Sequence, residues 1–333
     1  MQQNEREVVV ITGASAGVGR AVVREFAKRQ AAIGLIARGA DRLESARREV
    51  EEQGGEGLAL PTDVADATQV ERAAEQVVNR FGRIDVWVND AMTTIFAPLK
   101  DIKPEEFKRA TEVTYLGCVY GTMAALKYMY RQDRGTIVQI GSALAYRSIP
   151  LQSPYCGAKH AIVGFTDSLR CELIHQKSNI HVTVVHLPAM NTPQFSWCRT
   201  RLPRHPQPVP PIFEPEVAAR AVYFAAHNKR REIFVGGPTV KAIYGQDVAP
   251  SFADWYLGTH GYDAQQTSEP VPPDRPDNLF EPVPGDWAAH GIFTDQSKDF
   301  SLQNWVNLRR VPVALAAAGI AGIGALLWKR NAA

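Results

Sequence analysis

Val8-Val9-Val10-Ile11-Thr12-Gly13-Ala14-Ser15-Ala16-Gly17-Val18-Gly19 is the stretch that decides the fold of this chain. A run of β-branched apolar residues ends in a turn with three glycines, and a helical pattern follows over residues 17–29. Such a turn gives a sharp bend, close backbone approach and free N–H groups at a helix N-terminus, which together suit a phosphate. Three glycines alone are weak evidence; placed between a strand and a helix they read as a dinucleotide-binding turn.

Working outward, apolar runs alternate with amphipathic stretches. Strands are expected at 33–37, 57–61, 86–88, 136–141, 180–187 and 232–235, after the first at 8–11. Helices are expected at 41–53, 68–81, 104–131, 155–176 and 216–227. Strands with almost no polar alternation, separated by helices, indicate a parallel sheet covered on both faces. The expected fold is therefore α/β, a doubly wound parallel sheet of the Rossmann kind.

Composition narrows the function. The 333 residues carry 37 Lys+Arg against 35 Asp+Glu, so no global field points to nucleic acid. Cys118, Cys156, Cys171 and Cys198 form no C-x-x-C pair, which argues against a zinc or redox site and for reduced thiols. The end of the second strand reads Ala37-Arg38-Gly39, with no carboxylate before Asp41. NAD-selective sites place Asp or Glu there for the ribose 2′-hydroxyl. Arg38 instead suits a 2′-phosphate, so NADP(H) is the expected cofactor. Thr62-Asp63-Val64, after the third strand, suits the adenine amino group.

The acid–base residues lie further on. Tyr155 and Lys159 are four apart at the start of a helix, on one face. A phenol near its ordinary pKa of about 10 is a poor base at neutral pH, and a nearby ammonium favours the phenolate. Gly141-Ser142 ends the fifth strand, at the ligand face of such a sheet.

With these residues the chain resembles the short-chain dehydrogenase/reductase family, in its branch of roughly 250-residue catalytic domains. The resemblance covers residues 7–237 and rests on the T-G-x-x-x-G-x-G turn and the Ser142, Tyr155 and Lys159 set. It implies that Tyr155 exchanges a proton with the substrate oxygen, Lys159 lowers the phenol pKa and holds the nicotinamide ribose, and Ser142 hydrogen-bonds the substrate. It also implies cofactor contacts from Gly13, Ser15, Gly17, Val18, Gly19, Arg38, Asp63, Val64, Asn89, Ala91, Tyr155, Lys159, Pro188 and Thr192. A homodimer or homotetramer through helices 104–131 and 155–176 is implied as well.

Three stretches depart from the family pattern. Asn89-Asp90-Ala91-Met92 stands where Asn-Asn-Ala-Gly is usual, so Met92 is expected to be strained if that position needs positive φ. Thr114 takes the place of an asparagine whose backbone carbonyl serves a proton relay. Leu187-Pro188 replaces Pro-Gly, while Thr192 is kept. An NADP(H)-binding regulator or scaffold without activity is the alternative these departures leave open.

Residues 192–214 are expected to form a substrate lid. Phe195, Trp197, Arg199, Arg201, Arg204 and six prolines from Pro203 to Pro215 suggest a bulky apolar substrate, or a lid near an anionic surface. Residues 1–258 read as the catalytic domain and 259–308 as a Pro-rich, partly ordered linker. Residues 309–333 read as an apolar terminal helix. Residues 311–328 lack charge between Arg309-Arg310 and Lys329-Arg330, giving a helix of ~27 Å against the ~30 Å of a bilayer core. The segment reads as a membrane anchor or as a helix packed on protein. The polar N-terminus has no signal-peptide pattern, so a cytoplasmic catalytic domain is expected, anchored by that helix on the membrane reading.

Overall fold

The structure is a computed structural model that describes residues 6–310 together with 312 and 313. Seven strands form one parallel sheet: β1 (Val8–Thr12), β2 (Ala32–Ala37), β3 (Glu56–Pro61), β4 (Val86–Asn89), β5 (Gly135–Ser142), β6 (Ile180–Leu187) and β7 (Glu232–Phe234). Their order is β7-β6-β5-β4-β1-β2-β3. The order reverses between β1 and β4, so the crevice for a ligand opens at their carboxyl ends.

The helices cover both faces, as the uniformly buried pattern of β1 requires. Helices α1 (Gly17–Ala27), α2 (Ala40–Glu52) and α7 (Pro215–His227) pack on one face, burying Phe26, Leu43 and Val222 against Ile33 and Val185. On the other, α3 (Ala67–Phe81), α5 (Gly117–Gln132) and α6 (Ser153–His175) enclose Trp87, Met129 and Leu173. The helix expected over 104–131 is α4 (Pro104–Thr111) running into α5 through a π-helical turn, Glu112–Leu116. Two helices absent from the sequence expectation follow β7: α8 (Gly237–Val248) and α9 (Pro250–His260), the latter with no fully buried residue.

Residues 259–308 are largely extended, as their composition predicts, and they are laid along the domain. Gln266–Pro270 pairs with Arg204–Pro206 of the lid, and Ser297–Lys298 pairs with Ile212–Phe213. The short helix α10 (Leu302–Leu308) packs on α7. The physical reason is a few well-placed apolar residues: Leu279, Val283, Ala289 and Phe293 are all buried in clefts of the domain. Among the described residues no helix is long and apolar enough to cross a membrane. The expected apolar segment 311–328 lies, apart from 312 and 313, outside the described residues.

Candidate active site

A cavity of about 470 Å³ runs along the carboxyl ends of the strands. At its base, the glycine turn is shaped by two positive-φ glycines, Gly13 (φ +73°) and Gly17 (φ +58°). A Cβ on Gly13 would lie 3.0 Å from the Ala91 nitrogen, and one on Gly17 3.3 Å from Thr192 Cγ2. Both close approaches thus need glycine. Ala16 makes no side-chain cap to α1, and the first turn holds no acidic residue. The Gly17 N–H goes to Ala288 O at 3.0 Å, and the Gly19 N–H to the Asp90 carboxylate. Among the described residues the Val18 N–H, on the cavity wall, has no protein partner. The turn therefore fits a dinucleotide pyrophosphate.

Ser142, Tyr155 and Lys159 converge on the same cavity. Ser142 lies at the end of β5, where its oxygen accepts the Leu144 N–H at 3.1 Å. Its hydroxyl lies close enough to the Tyr155 phenol to favour the phenolate. Lys159, only 2% exposed, donates from Nζ to Ile140 O at 2.5 Å and lies 5.5 Å from the Tyr155 ring centre. Here the electrostatics differ from the expectation that Lys159 lowers the phenol pKa. Burial pushes Tyr155 above its ordinary value, and the Ser142 hydrogen bond offsets only part of this. Burial also lowers the Lys159 pKa, against the charge of Asp90, which raises it. Tyr155 therefore starts as a protonated acid.

Asp90 was not foreseen as a site residue. It lines the cavity beneath the turn, where a Cβ on Gly19 would come within 2.8 Å of its Oδ2. Burial pushes its carboxyl up to about 7, held back by the charge of Lys159 and the Gly19 N–H. The replacement of Asn-Asn by Asn89-Asp90 was the signal that could have found it. Met92 also lines the cavity but is not among the residues with positive φ, so the expected strain does not arise.

Most of the expected cofactor residues reach the wall: Gly13, Ser15, Gly17, Val18, Arg38, Asp63, Val64, Ala91, Pro188 and Thr192. Three expected site residues do not. Gly19 lies under the turn against Gly13. Asn89 is buried in a network with Trp87, Thr122 and Gln139, tying β4 to α5 and β5. Thr114, in the π-helical turn, clamps Thr93: its Oγ1 donates to Thr93 O at 3.0 Å and accepts the Thr93 N–H at 3.1 Å. Asp63 is partly engaged, with Oδ2 taken by Arg109 at 2.6 Å.

The lid's arginines make ion pairs with other parts of the chain. Arg199 and Arg201 turn inward to Glu106 at 2.7 and 2.6 Å, and Arg204 pairs with Asp263 at 2.7 Å. Burial would raise Glu106, but Arg201, the Lys103 N–H and Arg199 hold it at about 2. The lid's arginines are thus each paired with a carboxylate of the chain. The lid's apolar side chains face the cavity: Phe195, Trp197 and Val209 join Leu144, Ile149, Met190 and Leu257 there.

A dinucleotide-type glycine turn facing a Ser-Tyr-Lys set defines an oxidoreductase of the Rossmann class. The chain matches the short chain dehydrogenase family over residues 7–201. It is 30% identical to an uncharacterized oxidoreductase, YxnA, of Bacillus subtilis over 319 residues, covering 95% of this chain and 88% of that protein. It is 33% identical to a 3-dehydrosphinganine reductase of Danio rerio over 193 residues, 56% of this chain and 58% of the relative. A metagenomic short-chain oxidoreductase solved in complex with NADP superposes with a TM-score of 0.58 at 26% identity, covering 69% of this chain and 96% of the other. The chain belongs to the short-chain dehydrogenase family and is an oxidoreductase of that family.

Proposed function

We propose that the protein is an NADP(H)-dependent reductase or dehydrogenase of a bulky, apolar carbonyl or alcohol. The observation that carries this reading is the convergence of Ser142, Tyr155 and Lys159 on the cavity that the glycine turn also lines. The NADP-bound relative and the absence of a carboxylate between Ala37 and Asp41 support the phosphorylated cofactor. Arg38 and Arg42 would hold its 2′-phosphate, Val18 N–H its pyrophosphate, and Thr192 its carboxamide end. When bound, the cofactor supplies or receives the hydride.

The chain's own residues handle the proton. Ser142 donates to the carbonyl oxygen of the substrate and orients it toward Tyr155. The phenol, kept protonated by burial, gives its proton to that oxygen in the reduction direction. Lys159, anchored on Ile140 O, fixes the site next to Tyr155 and holds ribose hydroxyls. The lid and α9 exclude water from an apolar substrate end where Tyr256 and Leu257 reach the cavity. Phe252 and Trp255, exposed on α9 beside that end, and the sphinganine reductase relative both favour a long apolar substrate. A homodimer or tetramer is part of the same reading, since Met123 on α5 and Ile174 on α6 leave apolar side chains in solvent.

The intact acid set and an unstrained Met92 favour catalysis over a scaffold role. The test is NADPH consumption by the full-length protein against a panel of long-chain ketones and aldehydes, with Tyr155→Phe as the blank. Turnover of a panel member that Tyr155→Phe abolishes is the expected result. Cofactor binding without turnover of any carbonyl, or turnover equal in the blank, would overturn it.

A further inference from the structure

Residues 277–291 cross the adenosine end of the cavity as a strap. Leu279 is fully buried with Ile95, Ala97 and Ala110, and Trp287 meets Trp197 edge-on at 5.2 Å. The strap turns backbone carbonyls toward the arginines of the site. Arg38 donates from Nη1 to Phe280 O at 2.6 Å and from Nη2 to Asn278 O at 2.5 Å. Arg42 donates from Nη2 to Val283 O and stacks over Trp197 at 5.1 Å. Asn278 and Pro282 line the cavity beside them.

The partners are neutral, and this decides the reading. Other arginines of this region are paired: Arg20 and Arg24 with Glu49, Arg109 with Asp63, Arg199 with Asp277. Among the described residues Arg38 and Arg42 make no ion pair. Carbonyls fix a guanidinium's orientation without cancelling its charge. Each guanidinium has about five N–H donors, and the strap takes only two from Arg38 and one from Arg42. Burial depresses the pKa of both, a cost that a bound anion would relieve. Asp63 and Glu281 act on Arg38, and Asp286 on Arg42, only through space, and Asp63 is already bridged to Arg109.

We infer that the strap is part of the cofactor site: Asn278, Phe280 and Val283 hold Arg38 and Arg42 as an oriented, uncompensated pair for the 2′-phosphate. The inference rests on the NADP(H) reading above. Strap docking and 2′-phosphate binding are then one coupled equilibrium, and the coupling is reciprocal. The phosphate holds the strap down, and a loosened strap weakens NADPH but not NADH, which lacks that phosphate.

The test uses the full-length protein and two variants that loosen the strap from outside the phosphate contacts, Trp287→Ala and Leu279→Ala. Calorimetric titration gives Kd for NADPH and NADH, and hydrogen exchange follows the amides of 278–288 with each. The expected result is slower exchange with NADPH than with NADH, and NADPH affinity lowered about 5–150-fold in the variants while NADH affinity holds. Should Leu279→Ala fail to fold, Trp287→Ala decides alone. Equal weakening of both nucleotides, equal protection by both, or tighter NADPH binding in the variants would overturn the inference. A wild type with no preference for NADPH would sink the cofactor reading itself; a wild-type preference that survives strap loosening would sink only the role of the strap.

Discussion

Tyr155 and Asp90 place two unusual proton equilibria within one cavity. Burial keeps the Tyr155 phenol protonated, so Tyr155→Phe should cost roughly 10²–10⁴-fold in kcat while leaving NADPH affinity intact, as steady-state kinetics and fluorescence titration will show. The Asp90 carboxyl stands at about 7 in the folded chain, raised by burial, against an ordinary value of about 3.9. A folded pKa above the unfolded one means that the native state binds more protons in that window. Its ionisation therefore removes stability as pH rises from about 4 to 7. Asp90→Asn should melt close to wild type near pH 4 and at a higher temperature than wild type near pH 8. Melting curves that differ equally at both pH values would contradict the assignment. At this scale the sequence was informative about Ser142, Tyr155 and Lys159, because their types and spacing carry the chemistry. It was silent on the protonation state, which depends on how deeply the fold buries each group, and on Asn89 and Thr114, whose side chains the fold spends on internal hydrogen bonds.

The elements of the sheet were readable because buried parallel strands such as β1 and β5 are near-continuous apolar runs bounded by turns. Helices α8 and α9 were not, because they bury too little for an amphipathic pattern: α9 carries Phe252, Trp255 and Tyr256 into solvent. The lid showed its aromatics but not its ion pairs, since Arg199 and Arg201 meet a glutamate about 95 residues away in sequence. Glu106 is the joint between α4 and the lid. Glu106→Gln should lower stability by about 1–3 kcal/mol, read as a lower Tm at neutral pH. Its depressed pKa contributes stability above the ordinary carboxylate range that is lost as pH falls toward about 2, so the gap between wild type and variant should close in acid. A gap that persists at low pH would place the effect in packing rather than charge.

At the scale of the molecule, the Rossmann domain and residues 259–308 share one packed structure. The extension was read from its Pro-rich composition as a partly ordered linker whose aromatics, Trp287, Phe293, Phe300 and Trp305, could dock it back. Phe293 and Trp287 do so, while Phe300 and Trp305 stay exposed. Leu279, which composition did not single out, finds a cleft in a distant part of the chain. A chain ended after Gly258 would bare Ile95, Ala97 and Phe195, so it should lack the cooperative melt of the full-length protein and bind a hydrophobic dye. A sharp melt with no dye binding would show that the extension is dispensable for folding. The central claim is that this oxidoreductase uses a cofactor chosen by its 2′-phosphate, and the most direct measurement is tryptophan fluorescence quenching of the full-length protein by NADPH and by NADH, in wild type and Arg38→Glu. The account predicts tight binding of NADPH by wild type, weaker binding of NADH, and loss of that preference in Arg38→Glu. Binding of neither nucleotide, or a preference that Arg38→Glu leaves unchanged, would contradict it.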